Sequence, residues 1–430
     1  MQYYSLQGKA KDASFKEAVI RGLAEDKGLY FPKTIEKLPK AFIENLHQYS
    51  EKDIAFTVIK QFIGDEIPDA TLKQIISETL SFDFPLIDIE ENIKCLELFH
   101  GPTMAFKDVG ARFMARCLGY INADNNNEVT VLVATSGDTG GAVASGFLGV
   151  KNVKVVILYP SKKVSEVQEK QLTTLGKNIY ALEVKGTFDD CQAMVKKAFL
   201  DKSITAVKQL TSANSINVAR WLPQMFYFFF AYRQLQGYAK KVIFSVPSGN
   251  FGNICAGMMA KKLGLPIESF IAATNVNDIV PKFMETGVYK AKPSVQTISN
   301  AMDVGDPSNF VRIQKIYGDN YDKIKRDLHS YSFTDDETRT AMLHLYKNCN
   351  YIADPHGAVG YMGLKKHHIG KDTLGIFLET AHPIKFLDVV QPVINKELPY
   401  PLQIKDVIHK TKKAKLITDY RELKSFLLNN

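Results

Sequence analysis

Cysteine is scarce in this chain: five residues in 430, an odd number without a C-x-x-C spacing. That excludes a disulfide scaffold and leaves no clustered thiolate site to expect, so Cys95, Cys117, Cys191, Cys255 and Cys349 read as small buried hydrophobes in a reducing compartment. Long apolar runs are missing too. The most apolar stretch, Met225 to Tyr232, is bounded by Gln224 and Arg233 and is too short to span a bilayer. The N-terminal MQYYSLQGKAKDASFKEAVI has no apolar signal core, so the cytoplasm is the expected compartment. There is no internal repeat or low-complexity tract, no H-E-x-x-H, no paired carboxylates and no Ser/His/Asp constellation, and no metal site is expected.

What is present is ordinary for a globular protein with substantial cores, at 45% hydrophobic and 23% charged residues. The net charge of +8 is scattered, densest from Lys405 to Lys415. It reads as a bias toward anionic small molecules, not as a nucleic-acid footprint.

The first ninety or so residues have helical spacing. Ser14 is placed as an N-cap with Glu17 three residues on, and apolar periodicity returns in Ile54–Ile63 and Ala70–Leu80. Between them Asp26 to Phe31 and Pro32 form a punctuated aromatic segment, read as packing in preference to a substrate-facing loop. Further on, Val129–Ala134, Val153–Tyr159, Ile179–Val184, Val242–Val246, Phe270–Thr274 and Leu374–Leu378 read as strands. Their runs are continuous rather than alternating, as in parallel strands buried on both faces, so the fold class is α/β.

Chemistry gathers in four places. Lys107, in His100-Gly101-Pro102-Thr103-Met104-Ala105-Phe106-Lys107-Asp108, sits among apolar residues. It is either a snorkelling helix-start lysine or a partly buried amine available as a nucleophile. Ser248-Gly249-Asn250-Phe251-Gly252-Asn253 follows a strand and opens a helix, where free N–H groups and the dipole favour an anion. It is neither a Walker A sequence nor G-x-G-x-x-G, which suggests a single phosphate. Ser136-Gly137-Asp138-Thr139 offers hydroxyls and amides to a carboxylate, with Asp138 orienting the loop or meeting a cation. Thr380-Ala381-His382-Pro383 closes a third strand end, and at such ends open parallel sheets bind ligands. A lone amine, a phosphate cradle and an amino-acid-sized anion loop together point to pyridoxal phosphate.

These motifs, with Gly22-Leu23-Ala24-x3-Gly28-Leu29-Tyr30 and Lys385-Phe386, resemble the threonine synthase family, in its longer bacterial and fungal type, over nearly the whole chain. The resemblance implies a tryptophan-synthase-β-like, fold type II pyridoxal-phosphate enzyme with two open parallel-sheet domains and a mainly helical N-terminal domain. Its expected bounds are 1–93 for the N-terminal domain, 94–122 and 205–430 for a large cofactor-binding domain, and 123–204 for a smaller domain with the substrate loop. The implied reaction is a lyase conversion of O-phosphohomoserine and water to threonine and phosphate; a related phospho-lyase or a threonine/serine dehydratase is the alternative.

By resemblance, Lys107 is the Schiff-base lysine, and Gly249, Asn250, Phe251, Gly252 and Asn253 hold the cofactor phosphate. Thr380 meets the pyridine nitrogen; a hydroxyl cannot hold a pyridinium as a carboxylate would, so the ring is a weaker electron sink. Glu379 is expected on the other strand face. Ser136, Gly137, Asp138 and Thr139 are expected to take the substrate carboxylate. Asn214, Ser215, Asn217 and Arg220 are expected at the substrate phosphate, while a plain ion pair for Arg220 stays open. His356, after the Asp354-Pro355 helix start, is read as positional rather than catalytic. A monomer or homodimer is expected, with no nucleic-acid or membrane partner.

Overall fold

The computed structural model describes residues 1–123, 128–235 and 241–430, and the chain divides into two compact units. The first comprises Met1–Phe31, Lys107–Arg220 and Pro399–Asn430; the second comprises Pro32–Phe106 and Trp221–Leu398.

In the first unit a five-stranded sheet runs Ala414–Ile417, Ile179–Val184, Val153–Pro160, Val129–Ala134, Gln209–Thr211, all neighbours parallel. All residues of Val129–Ala134 are buried, as its unbroken apolar run requires. On one face Leu132, Val156, Leu158 and Leu182 pack with Cys191 and Val195 of helix Phe188–Leu200 and with Leu423 and Phe426 of helix Tyr420–Asn429. Helices Lys107–Ile121 and Asp138–Phe147 pack closely on each other because Gly146 has no side chain. A Cβ there would lie 3.1 Å from Ala111 C, and Arg116 Nη1 donates to Gly146 O at 2.8 Å.

The second unit holds a six-stranded sheet in the order Leu328–Ser332, Ile267–Thr274, Lys241–Pro247, Thr373–Glu379, Ile93–Glu97, Leu86–Glu90. The first five are parallel, and the edge strand Leu86–Glu90 is antiparallel. Helix Pro355–His367 lies on this sheet through its glycines: Ser245 Oγ, buried in the central strand, donates to Gly360 O at 2.6 Å. All six expected strands are present within a residue or a few of their expected ends, and the α/β class holds.

The N-terminal region is less purely helical than expected. Ser14 and Glu17 form the expected capping box on helix Phe15–Arg21, and helices Glu51–Ile63 and Asp69–Thr79 follow. A small sheet also forms, in the order Ala13–Ser14, Gln2–Ser5, Tyr30–Pro32, from strands too short to show a period. The Asp26 turn is packing, as read: Asp26 Oδ1 accepts from Ser5 Oγ at 2.6 Å, and Oδ2 accepts from Lys9 N and Ala10 N at 2.9 and 3.0 Å. The three-part division at residues 93, 122 and 204 stays a proposal about separately folding pieces. Among the described residues no helix is long and apolar enough to cross a membrane.

Leu132 is fully buried between strand and helix. Leu132→Ala removes its contacts and leaves a cavity, so it costs about 2–5 kcal/mol, read as a lower denaturation midpoint with unchanged slope.

Candidate active site

In the second unit the strand Thr373–Glu379 ends at Thr380, which is buried. The lysine motif approaches that end as a short antiparallel bridge. Ala105 pairs with Ala381, Phe106 N donates to Thr380 O at 2.9 Å, and His382 N donates to Met104 O at 3.1 Å. Two side chains fix the same segment from outside: Lys385 Nζ, wholly buried, donates to Thr103 O at 2.9 Å, and Tyr227 OH donates to Phe106 O. Met104 adopts φ 57°, a left-handed backbone that is costly for a bulky residue. His100 lies at the rim, Nε2 2.7 Å from Glu97 Oε2.

The loop after strand Lys241–Pro247 opens helix Gly252–Lys262, and Phe251 at its start has φ 60°. No side chain caps that helix, and Phe251, Gly252 and Asn253 are buried. Within the first turn Asn253 Oδ1 accepts from Ile254 N at 2.9 Å, so the N–H groups ahead of it are the ones left to take an acceptor. Gly249 rests on the segment 300–304: a Cβ there would lie 2.7 Å from Ala301 O and 2.8 Å from Met302 Cα. The two asparagine side chains turn away to brace the loop. Asn253 Nδ2 donates to Pro247 O at 2.8 Å, and Asn250 Oδ1 accepts from Ser308 N at 3.3 Å. What the loop presents is backbone.

Beneath this loop runs a polar chain that the sequence did not reveal. Ala301 N donates to His356 Nε2 at 3.2 Å, which leaves the ring proton on Nδ1, facing Asp354 Oδ2 at 3.2 Å. Asp354 caps helix Pro355–His367 by accepting from Gly357 N at 2.7 Å, while Asp354 N donates to Glu379 Oε1 at 2.6 Å. Glu379 thus lies on the strand face opposite Thr380, as alternation predicts. Burial and the Asp354 charge push its carboxyl well above the usual range, favouring the neutral form. Asp303 nearby is pushed up to about 7, chiefly by burial, and accepts from Thr297 Oγ1 at 2.7 Å.

In the first unit Lys107 opens its helix with Nζ 3.7 Å from Asp138 Oδ2, the side chains 17% and 3% exposed. Asp138 thus meets a cation, one of its two expected roles, and Gln168 Nε2 holds its other oxygen at 3.0 Å. Gln168 was missed because it reads as the partner in an ordinary capping box with Ser165, which it also is. Gly137 has φ 141°, and a Cβ there would collide with the Gln168 amide at 2.5 Å. Thr135 Oγ1 accepts from Gly137 N and Gly140 N at 3.0 and 2.8 Å, so Ser136 and Thr139, both half-buried, remain the presented hydroxyls. Arg220 is buried and packs on Gly110, one turn along the helix that Lys107 starts. Asn217 is committed to the scaffold, its Nδ2 donating to Val19 O at 2.9 Å and Ser212 O at 3.2 Å. Asn214 and Ser215 are half-buried, and Asn214 Oδ1 has no partner among the described residues.

Each unit supplies donor types that pyridoxal phosphate uses: an amine in the first, and in the second buried backbone N–H groups and a buried hydroxyl at a strand end. Residues 88–379 match the family described as pyridoxal-phosphate dependent enzyme, residues 2–80 match threonine synthase N terminus, and residues 357–427 match threonine synthase, C-terminal. The threonine synthase of Escherichia coli is 43% identical over 94% of both chains. The chain belongs to the threonine synthase family. The crystal structure of the Escherichia coli threonine synthase superposes with a TM-score of 0.94 at 41% identity, over 100% of each chain. The PLP-bound threonine synthase of Brucella melitensis gives 0.92 at 34% identity, over 100% of this chain and 99% of its own. The chain is accordingly a lyase with pyridoxal phosphate as cofactor, within a fold shared by that enzyme class.

His356→Ala frees Ala301 N from its acceptor, and the wall under Gly249 loosens. Pyridoxal phosphate then binds the apoprotein about tenfold more weakly, measured by absorbance titration. His382 tests electrostatics separately. Burial depresses its pKa from 6.5 to about 4, and its Nδ1 accepts from Ile384 N at 3.0 Å. Because the folded state disfavours the proton, its stabilising contribution is present above pH 6.5 and is lost as pH falls toward 4. His382→Asn keeps an acceptor for Ile384 and flattens that part of the stability–pH curve, followed by chemical denaturation at stepped pH.

Proposed function

We propose that the enzyme converts O-phospho-L-homoserine and water to L-threonine and phosphate, in the cytoplasm, as a monomer or homodimer. The observation that carries the site assignment is the ion pair of Lys107 with Asp138, 3.7 Å apart and largely shielded from water. A lysine held by a carboxylate that Gln168 anchors is oriented, and its proton has a defined neighbour.

In this reading Lys107 Nζ is the cofactor's attachment point, and the N–H groups of Gly249 to Asn253 hold its phosphate. Thr380 faces the ring nitrogen with a hydroxyl. The bound cofactor supplies an electron sink for the carbon that bears the substrate amine. Freed for the substrate, Lys107 Nζ would move one proton at a time, taking the α-proton, passing it on, and only then taking a β-proton. Asp138 steadies the charge that Nζ gains. Phosphate leaves from Cγ with its bonding electrons, Cγ gains the β-proton carried by Nζ and becomes the methyl group, the oxygen of water adds at Cβ, and a proton returns to Cα. Ser136 and Thr139 hold the substrate carboxylate, and Arg220, with Asn214 and Ser215, balances the substrate phosphate. Asn217 acts by fixing that segment to Val19. In this reading the departing phosphate takes the proton of the incoming water.

Borohydride treatment of the holoenzyme fixes the cofactor on the peptide containing Lys107, read by mass spectrometry, and Lys107→Ala abolishes both this adduct and threonine release. Threonine formation by Lys107→Ala at the parent rate overturns the assignment. A keto acid in place of threonine from phosphohomoserine overturns the substrate reading and leaves the lysine assignment intact.

A further inference from the structure

Away from these residues, at the free edge of the six-stranded sheet, three different donor atoms converge. Glu90 ends the edge strand Leu86–Glu90, while His344 and Cys349 lie near and at the end of helix Asp335–Cys349. Glu90 Oε1 is 3.2 Å from His344 Nε2 and 3.6 Å from Cys349 Sγ, and all three atoms lie within 4.8 Å of one another. In a tetrahedral site with bonds of about 2.0–2.3 Å, neighbouring ligand atoms are about 3.3–3.8 Å apart. The spacings on Glu90 already approximate two edges of such a tetrahedron.

The geometry points to a three-ligand site for a thiophilic divalent cation of the size of zinc, formed by Glu90, His344 and Cys349 with water in the fourth position. Oxygen, nitrogen and sulfur together select such a metal over magnesium or calcium, which take oxygen ligands. The surroundings are those of a held ligand set. Lys365 Nζ donates to the other carboxylate oxygen, Glu90 Oε2, at 2.8 Å, and Tyr361 OH donates to Oε1, so the carboxylate is oriented from behind. The His344 ring stacks on Tyr361, centroids 6.0 Å apart at 21°. The site is open to an incoming ion: the His344 and Glu90 side chains are 44% and 25% exposed, and Cys349 is the one cysteine of the five that is not fully buried. Binding takes one proton from the Cys349 thiol to solvent, and two negative ligands then balance the doubly charged ion. The cation fastens the edge strand to the end of helix Asp335–Cys349, where the sheet has no further strand to pair with.

The expectation of no metal site rested on sequence spacing, and Glu90 stands 254 residues from His344. The test uses tag-free, cofactor-loaded enzyme stripped of metal and titrated with cobalt(II). Expected is one equivalent bound per chain, with a thiolate-to-cobalt charge-transfer band and tetrahedral visible bands, all displaced by zinc. Cys349→Ser abolishes the charge-transfer band, and His344→Gln and Glu90→Gln each weaken binding at least about tenfold. The three variants keep the parent's cofactor spectrum and threonine formation, which shows that they fold. Absence of the band in the parent overturns the proposal, as does its persistence in Cys349→Ser or equal cobalt uptake by the parent and all three variants.

Discussion

The bridge that joins Ala105 and Phe106 to Thr380 and Ala381 decides where Lys107 begins. A lysine side chain has four rotatable bonds and would sample many positions from a loose backbone; here the residue before it is tied to the end of a central strand. Lys385 and Tyr227 then close the other side of the same few residues, each donating to a backbone carbonyl there. Lys385 is fully buried, and its donation to Thr103 O offsets part of the cost of burying an ammonium there.

The same strand end carries a second organisation on its opposite face. Glu379, Asp354 and His356 link it to Ala301, and Ala301 supports Gly249. The shift of Glu379 toward its neutral form matters for two reasons. Two ionised carboxylates so close together in a dry interior would repel strongly, and a charged acid behind Thr380 would add a negative field where the family resemblance places the ring nitrogen. The hydroxyl of Thr380 is the buried polar group at the strand end itself.

Much of this was legible in the residues. The six strands were visible because helices cover both sheet faces and the runs stay apolar throughout, and the capping box of Ser14 and the cap of Asp354 were visible because caps are local chemistry. Strands of two to four residues, such as Ala13–Ser14 and Gln2–Ser5, carry no period, and the edge strand Leu86–Glu90 alternates too weakly to separate from a loop. The cofactor motifs were legible because each is contiguous. Gln168, Lys385 and the His356 link were hidden because each acts through a partner distant in sequence. Asn217 showed the reverse difficulty: its residue type suggested a ligand donor, yet its amide hydrogens are spent on Val19 and Ser212.

Met104 and Phe251, the two bulky residues in left-handed backbone at the lysine turn and at the phosphate loop, bear on the order of assembly. Each conformation costs about 1–3 kcal/mol and persists only where the surroundings over-determine it. Until the sheet end, Lys385 and the Phe310 ring that packs on Phe251 are in place, both turns relax into ordinary extended or helical backbone. Both turns therefore take their shape from a second unit that has already closed its core.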